Sequence, residues 1–205
     1  MTNTSMCLLV LYYSKHGVTK SLADSIVKGI ESEGIEAMLR TVPDVHPHIE
    51  QQAAVPQSGA PYVTLNELAQ CDGLAFGCPT HFGNMPSAMK YFLDTTSSLW
   101  LKGSLINKPA CVFTSSSSLH GGQETTLLTM MLPLIHHGMI ILGVPYSEPG
   151  LHKTTSGGTP YGASALGNQN KTSLTEDEKS VAISQGKRLA LIAKNLNRNT
   201  GSANE

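Results

Sequence analysis

The chain opens with an apolar stretch that leads directly into a short polar turn and then into a helical pattern. Residues Met6–Tyr13 (MCLLVLYY) have the composition of a buried strand, and the turn SKHGVT follows at once. Apolar side chains then recur at helical spacing from about Thr19 to Glu33. The first N–H groups of a helix have no partner inside it, and the helix dipole adds partial positive charge there. This strand–turn–helix unit predicts a site for an anionic group such as a phosphate.

Short apolar runs and helical patterns continue to alternate along the chain. Further strands are predicted over Ile35–Thr41, Gly73–Cys78, Ala110–Ser115 and Met139–Val144, and helices from Thr64, from Pro86, over Glu124–His137 and from Thr175. Five short apolar strands with helices between them indicate one α/β domain with a parallel sheet covered on both faces. Ligands of such sheets bind beyond the carboxyl ends of the strands. We therefore expect functional segments after Tyr13, Cys78, Thr114 and Val144.

Two long segments fit neither a strand nor a helix. Residues Pro43–Pro61 are polar and contain four prolines, and Pro145–Leu174 are rich in glycine, proline and serine. A loop as long as the second is usually functional or mobile. The last helix is expected to give way to a frayed tail from Asn197. The domain should therefore occupy residues 1–198, with residues 199–205 disordered.

The composition excludes several classes of protein. The net charge is -1 and no basic block occurs, so nothing indicates binding to nucleic acid. No apolar run reaches the roughly 18 residues of a membrane span, and Met1–Ser5 lack the pattern of a secretory signal. The four cysteines form no CxxC pair, which favours buried thiols over disulfides or metal ligands. We expect a soluble cytoplasmic protein without a metal site.

The segments that follow the third and fourth strands carry the residues of greatest chemical interest. In Pro79–Asn84, Thr80 and Asn84 could bond the polar edge of a heterocycle, and Phe82 or Trp100 could cover a ring face. A simple turn and a core tryptophan are the respective alternatives. The serines and glycines of Ser115–Gly121 would let backbone N–H groups approach a ligand closely. A solvated connector is less consistent with this segment, because it joins a buried strand directly to a helix.

Six motifs, taken together and in order, resemble one family. They are YYSKHGVT, GCPTHFGNMPSAMKYFLD, SLW, HGGQETT, HHGM and SGGTPYGAS. In these segments the chain is similar to the flavodoxin-like NAD(P)H:quinone oxidoreductases of the WrbA type, over about Met6–Asn197. The resemblance implies a doubly wound, five-stranded parallel sheet in a single domain. It also implies FMN as cofactor, reduction of quinones by NADH or NADPH, and a homotetramer whose active site uses more than one subunit.

The resemblance also implies roles for individual residues. FMN would be bound by Ser14, Lys15, His16, Gly17, Val18 and Thr19, by Pro79, Thr80, His81, Phe82, Gly83 and Asn84, by Ser115, Ser116, Ser117, Ser118, Leu119, His120 and Gly121, and by His136. His16 would contact the nicotinamide nucleotide and Trp100 the quinone. His81 and His136 are the candidates for a catalytic acid.

Other functions are less consistent with the sequence. A flavodoxin-type electron carrier, which binds FMN without oxidising NAD(P)H itself, would usually be strongly acidic, whereas this chain has a net charge of -1. A phosphate-responsive receiver domain would need clustered aspartates, but Ser14 follows the first strand. The missing GxGxxG, GxxxxGK[ST] and GxSxG motifs argue against a Rossmann site, a P-loop ATPase and an elbow-type hydrolase. The choice between NADH and NADPH stays open.

Overall fold

The computed structural model describes residues 6–45 and 55–201, and the side chains as far as residue 197. The strands are β1 (Cys7–Tyr12), β2 (Glu36–Thr41), β3 (Leu74–Pro79), β4 (Pro109–Ser116), β5 (Ile140–Ile141) and β6 (Ala163–Leu166). The helices are α1 (Val18–Glu31), α2 (Leu65–Gln70), α3 (Ser87–Asp94), α4 (Ser97–Leu101), α5 (Gln123–His136), α6 (Gly150–Lys153) and α7 (Glu176–Gly201). The middle of the predicted loop Pro43–Pro61 and the last residues of the predicted tail lie outside the described residues.

A parallel sheet of order β2-β1-β3-β4-β5, with β6 also paired to β4, forms the centre of the molecule. Alternate side chains of β1 enter the two cores. Leu8 and Val10 pack with α1 and α7 on one face, whereas Leu9 and Leu11 pack with α3, α4 and α5 on the other. Helices therefore cover both faces, as the alternation of apolar runs predicted. The flavodoxin-like fold expected from the sequence is confirmed.

The predicted fifth strand, Met139–Val144, is wrong in its extent. Only Ile140 and Ile141 pair with β4, beside Pro109 and Ala110. The chain then leaves the sheet and returns as β6, which pairs with the second half of β4, from Phe113 to Ser116. One edge position is thus filled by two pieces of strand. The excursion carries α6, so the region Pro145–Leu174 is not one continuous loop.

Helix boundaries show where local signals were sufficient. Thr64 and Glu67 form a reciprocal capping box at the start of α2, as the sequence predicted. Thr175 and Glu178 do the same for α7. Helix α4 was not predicted, and Trp100 lies within it. Helix α7 continues to Gly201, so the expected tail from Asn197 is helical as far as it is described.

Helices α1 and α7 cross with their backbones in direct contact at two glycines. A methyl group added to Gly29 would collide with the carbonyl oxygen of Ile183, and one added to Gly186 would collide with that of Ile26. Backbone atoms cannot turn aside as a flexible side chain can. The two glycines therefore set the distance between the helices.

This contact predicts that Gly186→Ala destabilises the protein, although alanine in place of glycine normally stabilises a helix by about 1 kcal/mol. We expect a loss of about 2 kcal/mol, the usual cost of overpacking a core. Denaturant unfolding measures it, with Lys187→Ala on the exposed face of α7 as the control. A gain in stability would show that the two helices are not held at contact distance.

Candidate functional site

A cavity of about 470 Å³ lies where the carboxyl ends of β1, β3, β4 and β6 meet. Eleven residues predicted to bind the cofactor line it: Ser14, Lys15, His16, Val18, Thr19, Pro79, Thr80, His81, Ser115, Ser116 and Ser117. Gly17, Phe82, Gly83, Asn84, Ser118, Leu119, His120 and Gly121 belong to the same three loops without lining the cavity. The segments after Tyr13, Cys78 and Thr114 thus converge on one site. The region Pro145–Leu174, which follows Val144, reaches this site only near its C-terminal end, because the chain first leaves the sheet after β5.

The turn after β1 combines a helix N-terminus with a left-handed glycine. Gly17 is the N-cap of α1 with φ 93°, and its N–H donates to Ser14 Oγ at 3.0 Å. A side chain at this φ would be strained, which explains why glycine stands here. The first amide groups of α1, those of Val18 and Thr19, begin the helix at the cavity wall. They have no acceptor within the helix and are positioned to donate to an anion.

The loop after β3 is a tight turn beside the cavity. The N–H groups of His81 and Asn84 each donate to the other residue's carbonyl oxygen, at 2.7 and 3.0 Å. Phe82 lies at the tip with φ 53° and its side chain fully exposed. A large aromatic residue held in the left-handed region and in solvent is costly, so this strain points to a functional role.

Hydroxyl groups link the three loops to each other beneath the cavity. Thr19 Oγ1 lies 2.8 Å from Ser115 Oγ, and both side chains are buried. Thr126 Oγ1 of α5 donates to Thr80 Oγ1 at 2.7 Å. Gly122, the N-cap of α5 with φ 94°, approaches so closely that an added Cβ would lie 2.9 Å from the Cα of Gly83. The loops after β3 and β4 therefore hold each other in place.

The cavity lining has the charge pattern of an anion site. Lys15, His16 and His81 line it together with hydroxyl and amide groups, and none of its lining residues is a carboxylate. Lys15 and His16 are exposed at its mouth. A phosphate bound there would meet a cation and a helix N-terminus together.

A fourth segment of the site escaped the sequence analysis. Gly167, Asn168, Gln169 and Asn170 line the cavity from a turn after β6. The N–H groups of Asn168 and Lys171 close that turn on each other's carbonyl oxygens. The signal was present, since the region Pro145–Leu174 had been singled out as functional or mobile. What could not be foreseen was that a second strand inside it returns the chain to the sheet.

Trp100 and His136 lie away from this cavity. They line a second one, of about 380 Å³, together with Thr96 and His137, and the indole Nε1 of Trp100 donates to the carbonyl oxygen of His136 at 3.0 Å. Helix α5 begins beside the first cavity and ends at His136. A helix of its 14 residues is about 20 Å long. His136 therefore does not face the cavity of its own chain.

His137 has a defined protonation state. Thr96 Oγ1 donates to the carbonyl oxygen of Leu93 at 2.7 Å and lies 2.9 Å from His137 Nε2. A hydroxyl that donates to Leu93 can only accept from the ring, so we expect Nε2 to carry the donating N–H. Nδ1 is buried and has no hydrogen-bond partner among the described residues. Burial, with the neighbouring His136 as a second cause, lowers the pKa of His137.

Other titratable groups near β1 and in the core are held in their neutral forms. Burial and a 2.6 Å hydrogen bond to Asp44 raise the pKa of Tyr13 to about 12. The cysteines are all free thiols, and burial raises the pKa of Cys71 to about 11 and that of Cys111 to about 12. Thiols with such pKa values are weak nucleophiles. Across residues 6–45 and 55–201, no cluster of three metal-ligating side chains occurs and no helix is long and apolar enough to span a membrane.

Solved structures with the same architecture place the chain in the flavodoxin-like fold class. A flavodoxin, WrbA-like protein from Agrobacterium tumefaciens superposes with a TM-score of 0.69 at 22% identity, over 93% of this chain and 99% of that one. The two-electron reduced flavodoxin of Megasphaera elsdenii gives a TM-score of 0.57 at 16% identity, over 90% and 98% of the two chains. These likenesses concern the fold.

Sequence comparison identifies the family. The model of the NADPH-dependent FMN reductase family matches residues 6–148, and the chain belongs to that family. A protein of Geotalea daltonii named NAD(P)H dehydrogenase (quinone) is 45% identical, over 93% of this chain and 98% of its own. A protein of Geobacter sulfurreducens with the same name is 44% identical, over 94% of this chain and 100% of its own.

The environment of His137 predicts its titration. The folded pKa lies below the ordinary value of 6.5, so the unfolded chain takes up this proton first as the pH falls. The contribution of this lowered pKa to the free energy of unfolding is therefore complete above pH 6.5 and is lost as the pH falls towards the folded pKa. Histidine-ring NMR should show the Nε2–H tautomer and a midpoint below 6.5. His136→Gln should raise that midpoint without restoring the ordinary value, because burial is the larger cause. A midpoint at or above 6.5 would contradict the assignment.

Proposed function

We propose that the protein is an FMN-dependent NAD(P)H:quinone oxidoreductase. The observation that carries the proposal is the convergence of three loops on one cavity at the sheet edge, with a helix N-terminus and Lys15 at its wall. Membership of the FMN reductase family and the names of the relatives from Geotalea daltonii and Geobacter sulfurreducens support it. The absence of strong acidity argues against an electron carrier, since the net charge is -1.

The residues present fit FMN. The turn Ser14–Thr19 offers amide groups, hydroxyls and one ammonium group to a phosphate. Thr80 and Ser115–Ser117 present small polar groups along the rest of the cavity, which suits the polar edge of a flat heterocycle. Bound FMN would supply two-electron redox chemistry, by which a hydride from NAD(P)H and one proton would convert a quinone into a hydroquinone.

The side chains of this protein supply binding and protons. We assign His16, at the mouth of the cavity, to contact with the nicotinamide nucleotide. His81 lines the cavity and is the candidate that could donate a proton to the reduced quinone. Nucleotide and quinone would use the same site in turn, because His16, His81 and the proposed FMN-binding residues line one cavity.

Trp100 and His136 take part in this proposal through a second subunit. Leu128, Leu132 and Ile135 are exposed along one face of α5, and Trp100 and Leu101 are exposed on α4. The bond from Trp100 to the carbonyl oxygen of His136 joins these residues into one surface, here called the α4–α5 face. Apolar surfaces of this kind mark interfaces. We propose a homotetramer in which this face brings His136 and Trp100 to the cavity of a partner.

We also propose a cytoplasmic location. The four cysteines are free thiols, and three of them are buried. Unpaired thiols are typical of proteins in reducing compartments.

Steady-state kinetics test the proposed activity. Purified protein supplied with FMN should be yellow, quench flavin fluorescence, and oxidise NADH or NADPH with benzoquinone as acceptor. Because the two substrates share a site, double-reciprocal plots at several quinone concentrations should be parallel. Protein that binds FMN without turnover with either nucleotide would favour the carrier, and protein that does not bind FMN would refute both.

The oligomer is tested by placing a charge on the α4–α5 face. Leu132→Glu should convert the tetramer into smaller species, because Leu132 is 58% exposed in the single chain and its burial would require a partner. Leu191→Glu, at an exposed leucine of α7, is the matched control. Light scattering after gel filtration gives the masses. An unchanged mass for Leu132→Glu, or a monomeric wild type, would contradict the assembly.

A further inference from the structure

A chain of buried hydrogen bonds joins the region between β5 and α7 to the cavity. The N–H of Gly158 donates to Ser164 Oγ at 2.8 Å, and Ser164 Oγ donates to Gln123 Oε1 at 2.6 Å. Gln123 Nε2 donates to Ser116 Oγ at 2.8 Å, and Ser116 Oγ donates to the carbonyl oxygen of Ser118 at 2.8 Å. We call this series, Gly158–Ser164–Gln123–Ser116–Ser118, the Gln123 relay.

The relay has a single direction. Each hydroxyl in it accepts from one neighbour and donates to the next, and the amide of Gln123 does both through different atoms. The side chains of Ser116, Gln123 and Ser164 are 4%, 5% and 0% exposed, so their polar atoms are largely shielded from solvent. Removing one bond from a buried series of this kind leaves a polar group unpaired, which is costlier than losing an exposed bond.

The relay ends on the loop that borders the cavity. The carbonyl oxygen of Ser118 accepts from Ser116 Oγ and also from the N–H of Gly121, at 3.3 Å, which closes the turn between them. The carbonyl oxygen of Ser116 accepts from the N–H of Gly167 at 2.9 Å, where the turn that lines the opposite wall begins. Ser116 therefore bonds to the turn Ser118–Gly121 through its hydroxyl and to the turn that begins at Gly167 through its carbonyl oxygen.

The SGGTPYGAS motif gains a physical role from this arrangement. A methyl group at Gly157 would collide with the carbonyl oxygen of Ser164, and one at Gly162 would collide with that of Val112. These glycines let the segment press directly onto the strands. That contact sets the N–H of Gly158 at bonding distance from Ser164.

We propose that Gln123 and Ser164 are positioning residues for the loop Ser117–Gly121, which borders the proposed FMN cavity. This inference rests on the proposed function. Residues Ser117–His120 are all exposed, Leu119 among them, and His120 has φ 57°. Ordering such a loop costs conformational entropy at each of its residues. The relay imposes that order before a ligand arrives, so that binding FMN does not have to.

Gln123→Met tests the relay, because methionine keeps the length of the side chain and removes both polar atoms. We expect FMN affinity, measured by quenching of flavin fluorescence, to fall roughly tenfold. The visible circular dichroism of bound FMN at saturation should change as well, because the loop beside the flavin is displaced. Ser164→Ala, a smaller change, should act in the same direction. The double variant should equal Gln123→Met alone, since both residues act through one series.

Gln185→Met is the matched control. Gln185 is also a buried glutamine, 1% exposed, and it binds the N–H of Ala163 and the carbonyl oxygen of Val112, both at 2.9 Å. It holds β6 to β4 but does not reach the Ser118 turn. Its loss should lower stability and leave FMN affinity and dichroism unchanged. Equal effects of Gln123→Met and Gln185→Met on FMN affinity would overturn the proposal, as would wild-type affinity and dichroism in Gln123→Met.

Hydrogen exchange of the apoprotein examines the relay without flavin. Exchange of the amides from Ser117 to Gly121 should be faster in Gln123→Met and in Ser164→Ala, and unchanged in Gln185→Met. Unchanged exchange in the first two variants would overturn the relay whether or not FMN binds. If the wild type does not bind FMN, both the proposed function and the role of the Gln123 relay in FMN binding are refuted. Faster exchange in the two variants would then support only the link between the relay and the order of the loop Ser117–Gly121.

Discussion

Parallel pairing of every strand is the constraint on which the rest of the molecule depends. Because β1, β3, β4 and β6 all run in one direction, their carboxyl ends meet at a single edge of the sheet. Loops that are far apart in the chain become neighbours there, and Thr19 contacts Ser115 across the site. The same direction presents the N-termini of α1 and α5 at that edge, with their free amide groups. The site is thus a consequence of the topology, and the loop residues determine what it binds.

Local signals in the sequence were sufficient wherever structure depends on near neighbours. The apolar runs located both ends of each of the first four strands to within one residue, and the Thr64–Glu67 and Thr175–Glu178 pairs located two helix starts. The sequence did not indicate that the strand position next to β4, at the edge of the sheet, is shared by β5 and β6. This arrangement depends on pairing with β4. The turn Gly167–Asn170 and the buried Gln123 escaped for the same reason. Their roles come from residues distant in sequence, such as Ser164 and Ser116.

The distribution of the predicted site residues also separates two kinds of information. Those in the three loops converge because one chain is enough to bring them together. The role of Trp100 at the quinone and that of His136 at the flavin came from the resemblance, and in a single chain both residues lie at the far end of α5 beside an exposed apolar surface. The predicted roles of Trp100 and His136 agree with their positions away from the cavity if the active site is built from more than one copy of the chain. A family pattern can include residues that act only in an oligomer. A single chain brings together only the residues that its own fold places side by side.

A comparison of the binding of FMN with that of riboflavin, which lacks the phosphate, measures directly what the turn after β1 contributes. If the turn after β1 binds the phosphate, FMN should bind on the order of a hundredfold more tightly, from the helix N-terminus and Lys15 together. Lys15→Glu should remove roughly tenfold of that preference or more, since a charged hydrogen bond contributes about 1.5–3 kcal/mol. Lys187→Glu makes the same change in net charge at an exposed residue of α7, and it should leave the preference for FMN unchanged. Equal affinity of the wild type for FMN and riboflavin would show that the turn after β1 does not bind the phosphate.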